Sequence, residues 1–99
     1  MNIQAMLKQA QNMQKDMMKA QEEINSRSYT GENGLVKVTM KGNKKVEKVE
    51  ISKDEDFTKD DLEMLEDMIM VAVNEAVAKI DQATEQKMGK YTSAFPGLF

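Results

Sequence analysis

The sequence has no cysteine, no histidine and no tryptophan among its 99 residues. The missing cysteine excludes disulfides and thiolate metal sites. The missing histidine removes the usual general base and the commonest zinc ligand. No Gly-x-Gly-x-x-Gly or Walker loop is present, and the acidic residues do not follow the spacing of a calcium-binding hand. The seventeen acids can be paired almost anywhere, and no motif selects one pair. No catalysis and no cofactor or metal are therefore expected. No apolar run approaches the roughly 20 residues of a membrane span, and no signal-peptide pattern follows Met1. A soluble cytoplasmic protein with no membrane partner is expected. Ninety-nine residues suffice for a single domain, 1–99, with one modest core, and oligomerisation would relieve the shortage of buried surface.

What is present is periodicity. Ile3, Met6, Ala10, Met13, Met17, Ala20 and Ile24 follow one another at steps of three and four. This is the apolar seam of a coiled-coil helix. A helix from Asn2 to Asn25 would run about 36 Å at ~1.5 Å per residue. A compact globule of this size has a radius of gyration of only about 13 Å. The helix is therefore expected to need a partner helix and to project from the body.

Charge is unevenly spread around a net value of −3. Residues 1–20 carry Lys8, Lys15 and Lys19 against Asp16, and residues 33–53 carry six lysines against Glu47 and Glu50. Residues 54–67 hold eight acids and Lys59. Acids around a helix start are favoured by its dipole, which accounts for much of that block without a bound metal. The acidic total disfavours a uniformly basic nucleic-acid binder but leaves two segments able to attract phosphates.

In chain order, Asn25-Ser26 reads as the end of helix one, Arg27–Thr30 as a short strand and Gly31–Gly34 as a loop with an Asn33-Gly34 turn. Leu35–Met40 alternates, with Val36, Val38 and Met40 on one face, as a half-buried strand does. Gly42-Asn43 reverses the chain. Val49 and Ile51 then share a face that Val46 does not, which calls for a bulge near Glu47-Lys48 or an edge-facing Val46. Gly31, Gly34 and Gly42 are accounted for as turn residues. Thr58 is placed to cap helix two, with Asp61 completing a capping box. Helix two repeats Leu62, Leu65, Ile69, Ala72, Val73, Ala76, Val77, Ile80 and Ala83 at helical spacing. It is expected to end near Met88 with Gly89 as its terminating residue, and 91–99, with Pro96, reads as a tail. The broad middle of its apolar face would cover a sheet, and the narrower end would pair with helix one. The fold expected is α+β, in the order α-β-β-β-α, with a three-stranded antiparallel sheet, two long helices and a dimeric assembly.

Lys8, Lys15 and Lys19 share one flank of helix one, and Lys79, Lys87 and Lys90 fall on the partner half of helix two. On the residues alone, these lysines fit either solvated helix surface or a row of phosphate contacts, which would carry affinity rather than sequence information. Methionines recur along both helices. Met6, Met13 and Met17 fit the seam, while Met18, Met64 and Met68 could equally serve an adaptable protein-binding surface.

The run Met6-Leu7-Lys8-Gln9-Ala10-Gln11-Asn12-Met13-Gln14 with Lys19-Ala20-Gln21-Glu22-Glu23 resembles the opening helix of the YbaB/EbfC nucleoid-associated proteins. Gly34–Met40 with Gly42, Leu65–Ile69, Val73–Ala76, Lys87-Met88-Gly89-Lys90 and Pro96-Gly97-Leu98 resemble later parts of that family in order. The resemblance implies a cytoplasmic, nucleoid-located bacterial homodimer whose long helices form tweezer-like arms. It also implies binding of double-stranded DNA with weak sequence preference, in nucleoid organisation or gene regulation. By position it places DNA contacts on Lys8, Lys15, Lys19, Lys79, Lys87 and Lys90. The alternative is a protein–protein adaptor whose arms grip a replication or recombination protein.

Overall fold

Two separate apolar cores share one long helix. The computed structural model describes residues 2–94, with side chains through Tyr91. Its elements are α1 (Ile3–Ser26), β1 (Ser28–Asn33), β2 (Val36–Lys41), β3 (Val46–Ile51) and α2 (Leu62–Ala94). The strands form one antiparallel sheet in the order β1-β2-β3. The α-β-β-β-α order and the α+β class are as the sequence led us to expect. The molecule is 72 Å long and 20 by 14 Å across, with a radius of gyration of 19.6 Å. That is well above the ~13 Å of a compact domain this size, so the helices do project.

The first core lies between the sheet and the N-terminal half of α2. Val36 and Val38 face inwards against Leu65 and Ala72, and Met40 against Ala76 and Ile80, with Val73 packed against both groups. The second lies farther along α2, where Ala20 and Ile24 of α1 bury against Met88 and Tyr91, flanked by Met13 and Met17. The division of α2 between sheet and α1 follows its apolar pattern. Ile3, Met6 and Ala10 at the start of the seam stay exposed, so Met6 does not fill a core within the described chain.

Four local expectations need correcting. β1 runs on through Gly31 and Glu32 to Asn33, where a loop was expected, because Gly31 pairs opposite Val38. The hairpin turn is consequently Gly34-Leu35, with φ +53° at Gly34, one residue beyond the Asn33-Gly34 dipeptide. Helix α2 does not stop at Gly89 but continues to Ala94; burial of Tyr91 against α1 outweighs the cost of one helical glycine. Residues 91–94 of the expected tail are therefore helical, and 95–99 lie outside the described residues.

The fourth correction concerns the glycines. Gly34 has the positive φ that suits a hairpin turn, and Gly42-Asn43 reverses the chain as expected, closed by the Lys44 N–H donating to the Lys41 carbonyl at 2.8 Å. Gly31 lies within β1 rather than in a turn, and both it and Gly42 permit close backbone approach. A Cβ on Gly31 would lie 1.9 Å from the Ala72 carbonyl oxygen, and one on Gly42 would lie 1.8 Å from that of Ile24. The Gly42 N–H also donates to the Arg27 carbonyl at 3.0 Å. Thus one glycine seats the sheet on α2 and the other seats the second hairpin on the end of α1.

The bulge expected in β3 is present. Thr39 pairs with Lys48 but Met40 pairs with Val46, leaving Glu47 as the extra residue. Its insertion returns Val46 to the face shared by Val49 and Ile51. At the start of α2, a short 3₁₀ turn at Lys59–Asp61 is closed by the Thr58 N–H donating to the Asp61 carboxylate at 2.9 Å.

Gly31→Ala and Gly42→Ala should each destabilise the fold by about 3 kcal/mol, since the new methyl meets backbone that cannot retreat alone. At Gly89 a methyl group would meet nothing within 4 Å, so Gly89→Ala should stabilise by about 0.5–1 kcal/mol. Urea denaturation of the three variants checks both signs.

Candidate nucleic-acid interface

α1 begins at Asn2, whose side-chain oxygen accepts the Ala5 N–H at 3.2 Å. This caps the helix and leaves its polar side in solvent. At 3.6 residues per turn, Lys8, Lys15 and Lys19 lie about 170° round from the apolar seam. Because α2 packs on the seam, these three lysines point away from it. All three are exposed and make no ion pair among the described residues.

The α2 lysines are held differently. Lys79 donates to the Thr30 carbonyl of β1 at 2.7 Å and lies 3.5 Å from the Glu75 carboxylate. Lys87 donates to the Glu23 carboxylate, joining the two helices by an ion pair. Lys90 sits 5.0 Å from the centre of the Tyr91 ring, on a shallow groove shared with Gln9, Asn12, Met13 and Asp16. The structure thus gathers Lys8, Lys15 and Lys19 into one row, sets Lys87 and Lys90 on the neighbouring flank of the helix pair, and places Lys79 apart, against the sheet.

Glu23 is the cross-link of this region. The hydrogen bond from Lys87 and then its charge hold the carboxyl below the ordinary 4.5 against an opposing desolvation, with Lys19 and Arg27 adding less. Sequence spacing did not reveal this pair, because its members lie on different elements 64 residues apart. Nor did it reveal the 3.0 Å ion pair of Lys44 with Asp81.

The acidic block lies on the connection into α2 and around its first turns. Among the described residues, no group of three His, Cys, Asp or Glu side chains is arranged to hold a metal ion. No helix among them is long and apolar enough to cross a membrane.

The lysine row is an exposed positive strip on a projecting helix, where either solvent or an anionic partner would meet it. Comparisons with known proteins supply the class of protein. The profile of the YbaB/EbfC DNA-binding family matches residues 1–95, and the chain belongs to that family. A nucleoid-associated protein of Enterococcus faecalis is 43% identical over 99 residues, covering 98% of this chain and 94% of the relative. One from Pelotomaculum thermopropionicum is 43% identical over 102 residues, covering 99% and 96%. The crystal structure of an uncharacterised Helicobacter pylori protein, HP0035, superposes with a TM-score of 0.67 at 18% identity, covering 100% and 99% of the two chains. That likeness concerns the fold. The family is a DNA-binding one rather than an enzyme family.

Because folding lowers the Glu23 pKa, its stabilisation is complete above 4.5 and is lost as pH falls through the lower folded value. Wild type should therefore melt higher than Glu23→Gln at pH 7. The gap should close on acidification below 4.5, as melting curves of the two proteins across that range would show.

Proposed function

We propose that this chain is a nucleoid-associated homodimer that binds double-stranded DNA through the lysines of its projecting helices, without catalysis. The observation that carries the reading is the row of Lys8, Lys15 and Lys19 on the side of α1 turned away from α2, in a chain of a DNA-binding family. Phosphate contacts by such lysines release counterions, so affinity follows salt concentration steeply and sequence weakly. Lys90 adds to this surface, while Lys79 and Lys87 contribute after exchanging their intramolecular partners. A bacterial nucleoid, and so the cytoplasm, is the corresponding location.

The homodimer is supported by an uncovered half of the sheet. Val46 and Val49 pair beside Met40 and Val38 and point to the same side, yet they are 48% and 45% exposed where their neighbours are 2% and 0%. Along α2, Met70, Val73 and Val77 follow at steps of three and four, and Met70 is itself exposed. A bulge that restores Val46 to this face is hard to account for unless something packs there. The ends of β3 carry opposite charge, with Lys44 and Lys45 before it and Asp54, Glu55 and Asp56 after it. A two-fold rotation that sets two copies of β3 antiparallel brings each basic end to the other's acidic end, the self-complementarity of an isologous dimer.

Fluorescence anisotropy with a labelled duplex at two salt concentrations tests the DNA reading. Binding should be measurable at low salt and fall steeply as salt is added. Replacing Lys8, Lys15 and Lys19 together by Gln should weaken it and flatten the salt slope by about one unit for each phosphate no longer neutralised. No binding at low salt would sink the reading. Sedimentation should find a wild-type dimer, and Val49→Lys should shift it to monomer by placing charge on the apolar face.

A further inference from the structure

Beside the apolar seam of α1 runs a second row with the same spacing. Gln4, Leu7, Gln11, Gln14, Met18, Gln21 and Asn25 follow at steps of three and four, and none carries a charge. The row occupies the flank between the seam and the lysines, about 90° from each. It is not covered by α2. Gln4, Gln11 and Gln14 are exposed, as are Leu7 and Met18, at 58% and 65%. Only at its root does the row satisfy itself, where Gln21 donates to the Asn25 side chain at 2.9 Å. From Gln4 to Met18 its side-chain amides have no hydrogen-bond partner among the described residues. An exposed helical face normally carries charges; a run of about 21 Å without one calls for an explanation.

Resting on the DNA-binding reading above, we infer that this row reads base edges in the major groove while Lys8, Lys15 and Lys19 hold the phosphates beside it. A helix about 10–12 Å across matches a major groove about 12 Å wide. A carboxamide presents a donor and an acceptor together, the pair that meets N6 and N7 of adenine, and apolar side chains meet the thymine methyl group. Gln11 and Gln14 supply the amides at the centre of the exposed run, and Leu7 and Met18 flank them with apolar contacts. The charges fit the same partner. Between Asn2 and Met18 the sole acid is Asp16, and it lies on the opposite flank, in the groove with Lys90 and Tyr91. The groove-facing run therefore meets the negative potential of DNA with no carboxylate of its own. The inferred ligand is a short A·T-containing stretch of duplex, and Gln11 and Gln14 are its specificity-determining residues.

The test is selection of duplexes from a randomised pool, followed by anisotropy with a selected and a scrambled duplex at matched salt. The wild type should favour the selected duplex by at least about fivefold, the low end for one good amide–adenine pair. Gln11→Ala with Gln14→Ala should abolish that preference while leaving the salt slope unchanged, since phosphate contacts set the slope. Alanine is a better helix former than glutamine, so the double variant keeps its helix. Gln9→Ala with Asn12→Ala, on the Tyr91 flank, should leave the preference intact. A wild type that binds every duplex equally overturns the inference and leaves the DNA-binding reading standing. Absence of any DNA binding overturns both. A Gln11/Gln14 variant that changes the sedimentation of the protein instead of its DNA preference assigns the row to self-association and overturns the inference as well.

Discussion

The arrangement depends on how closely β1 can approach α2. At Gly31 the strand backbone lies against the carbonyl of Ala72 with no side chain between them. Ala72 and Ala76, both fully buried, keep the helix side of the crossing equally thin. That contact sets the height of the sheet above α2, and hence the depth of the pocket that Val36, Val38 and Met40 fill. Gly42 repeats the device at the other end of β2, where the second hairpin meets the end of α1. Sheet, α1 and α2 are thus joined where only backbone separates them.

From these junctions the two helices extend together. Their contact is narrow, built from Ala20, Ile24, Met88 and Tyr91 and reinforced by the Glu23–Lys87 ion pair. It leaves most of the circumference of α1 in solvent, which is what the proposed DNA contacts require. The lysine row and the amide row are both products of that exposure. The sheet end is the converse: its apolar surface exceeds what one copy can cover, which suits it to assembly rather than to ligand binding.

Much of this was legible in the sequence because it rests on periodicity. The seam of α1, the alternation of β2 and the split use of α2 each depend on residues close in the chain. The bulge was legible too, since Val46 and Val49 cannot share a face without an extra residue. What could not be read was anything set by a distant neighbour. Gly31 looked like a turn glycine, and Gly42, which is one, showed nothing of its packing role, because their partners, Ala72 and Ile24, belong to other elements. Gly89 looked like a helix terminator because the burial of Tyr91 is a tertiary fact. For the interface, spacing alone put Lys8, Lys15 and Lys19 on one flank, but only the fold shows that Lys79 is engaged by Thr30 and Lys87 by Glu23. DNA as the partner came from family likeness, since lysines on a helix do not name their ligand.

The continuity of α2 carries a mechanical consequence. One uninterrupted helix of 33 residues spans both cores, with no proline or loop between them to act as a joint. It behaves as a lever whose N-terminal part lies on the sheet and whose C-terminal part carries α1. Over an α1 length of about 36 Å, a tilt of about 5° at the sheet moves the free tip by about 3 Å. In the two-fold assembly proposed above both levers would swing, and the gap between the arms would be set by how β3 and the first turns of α2 pack, far from the proposed lysine contacts.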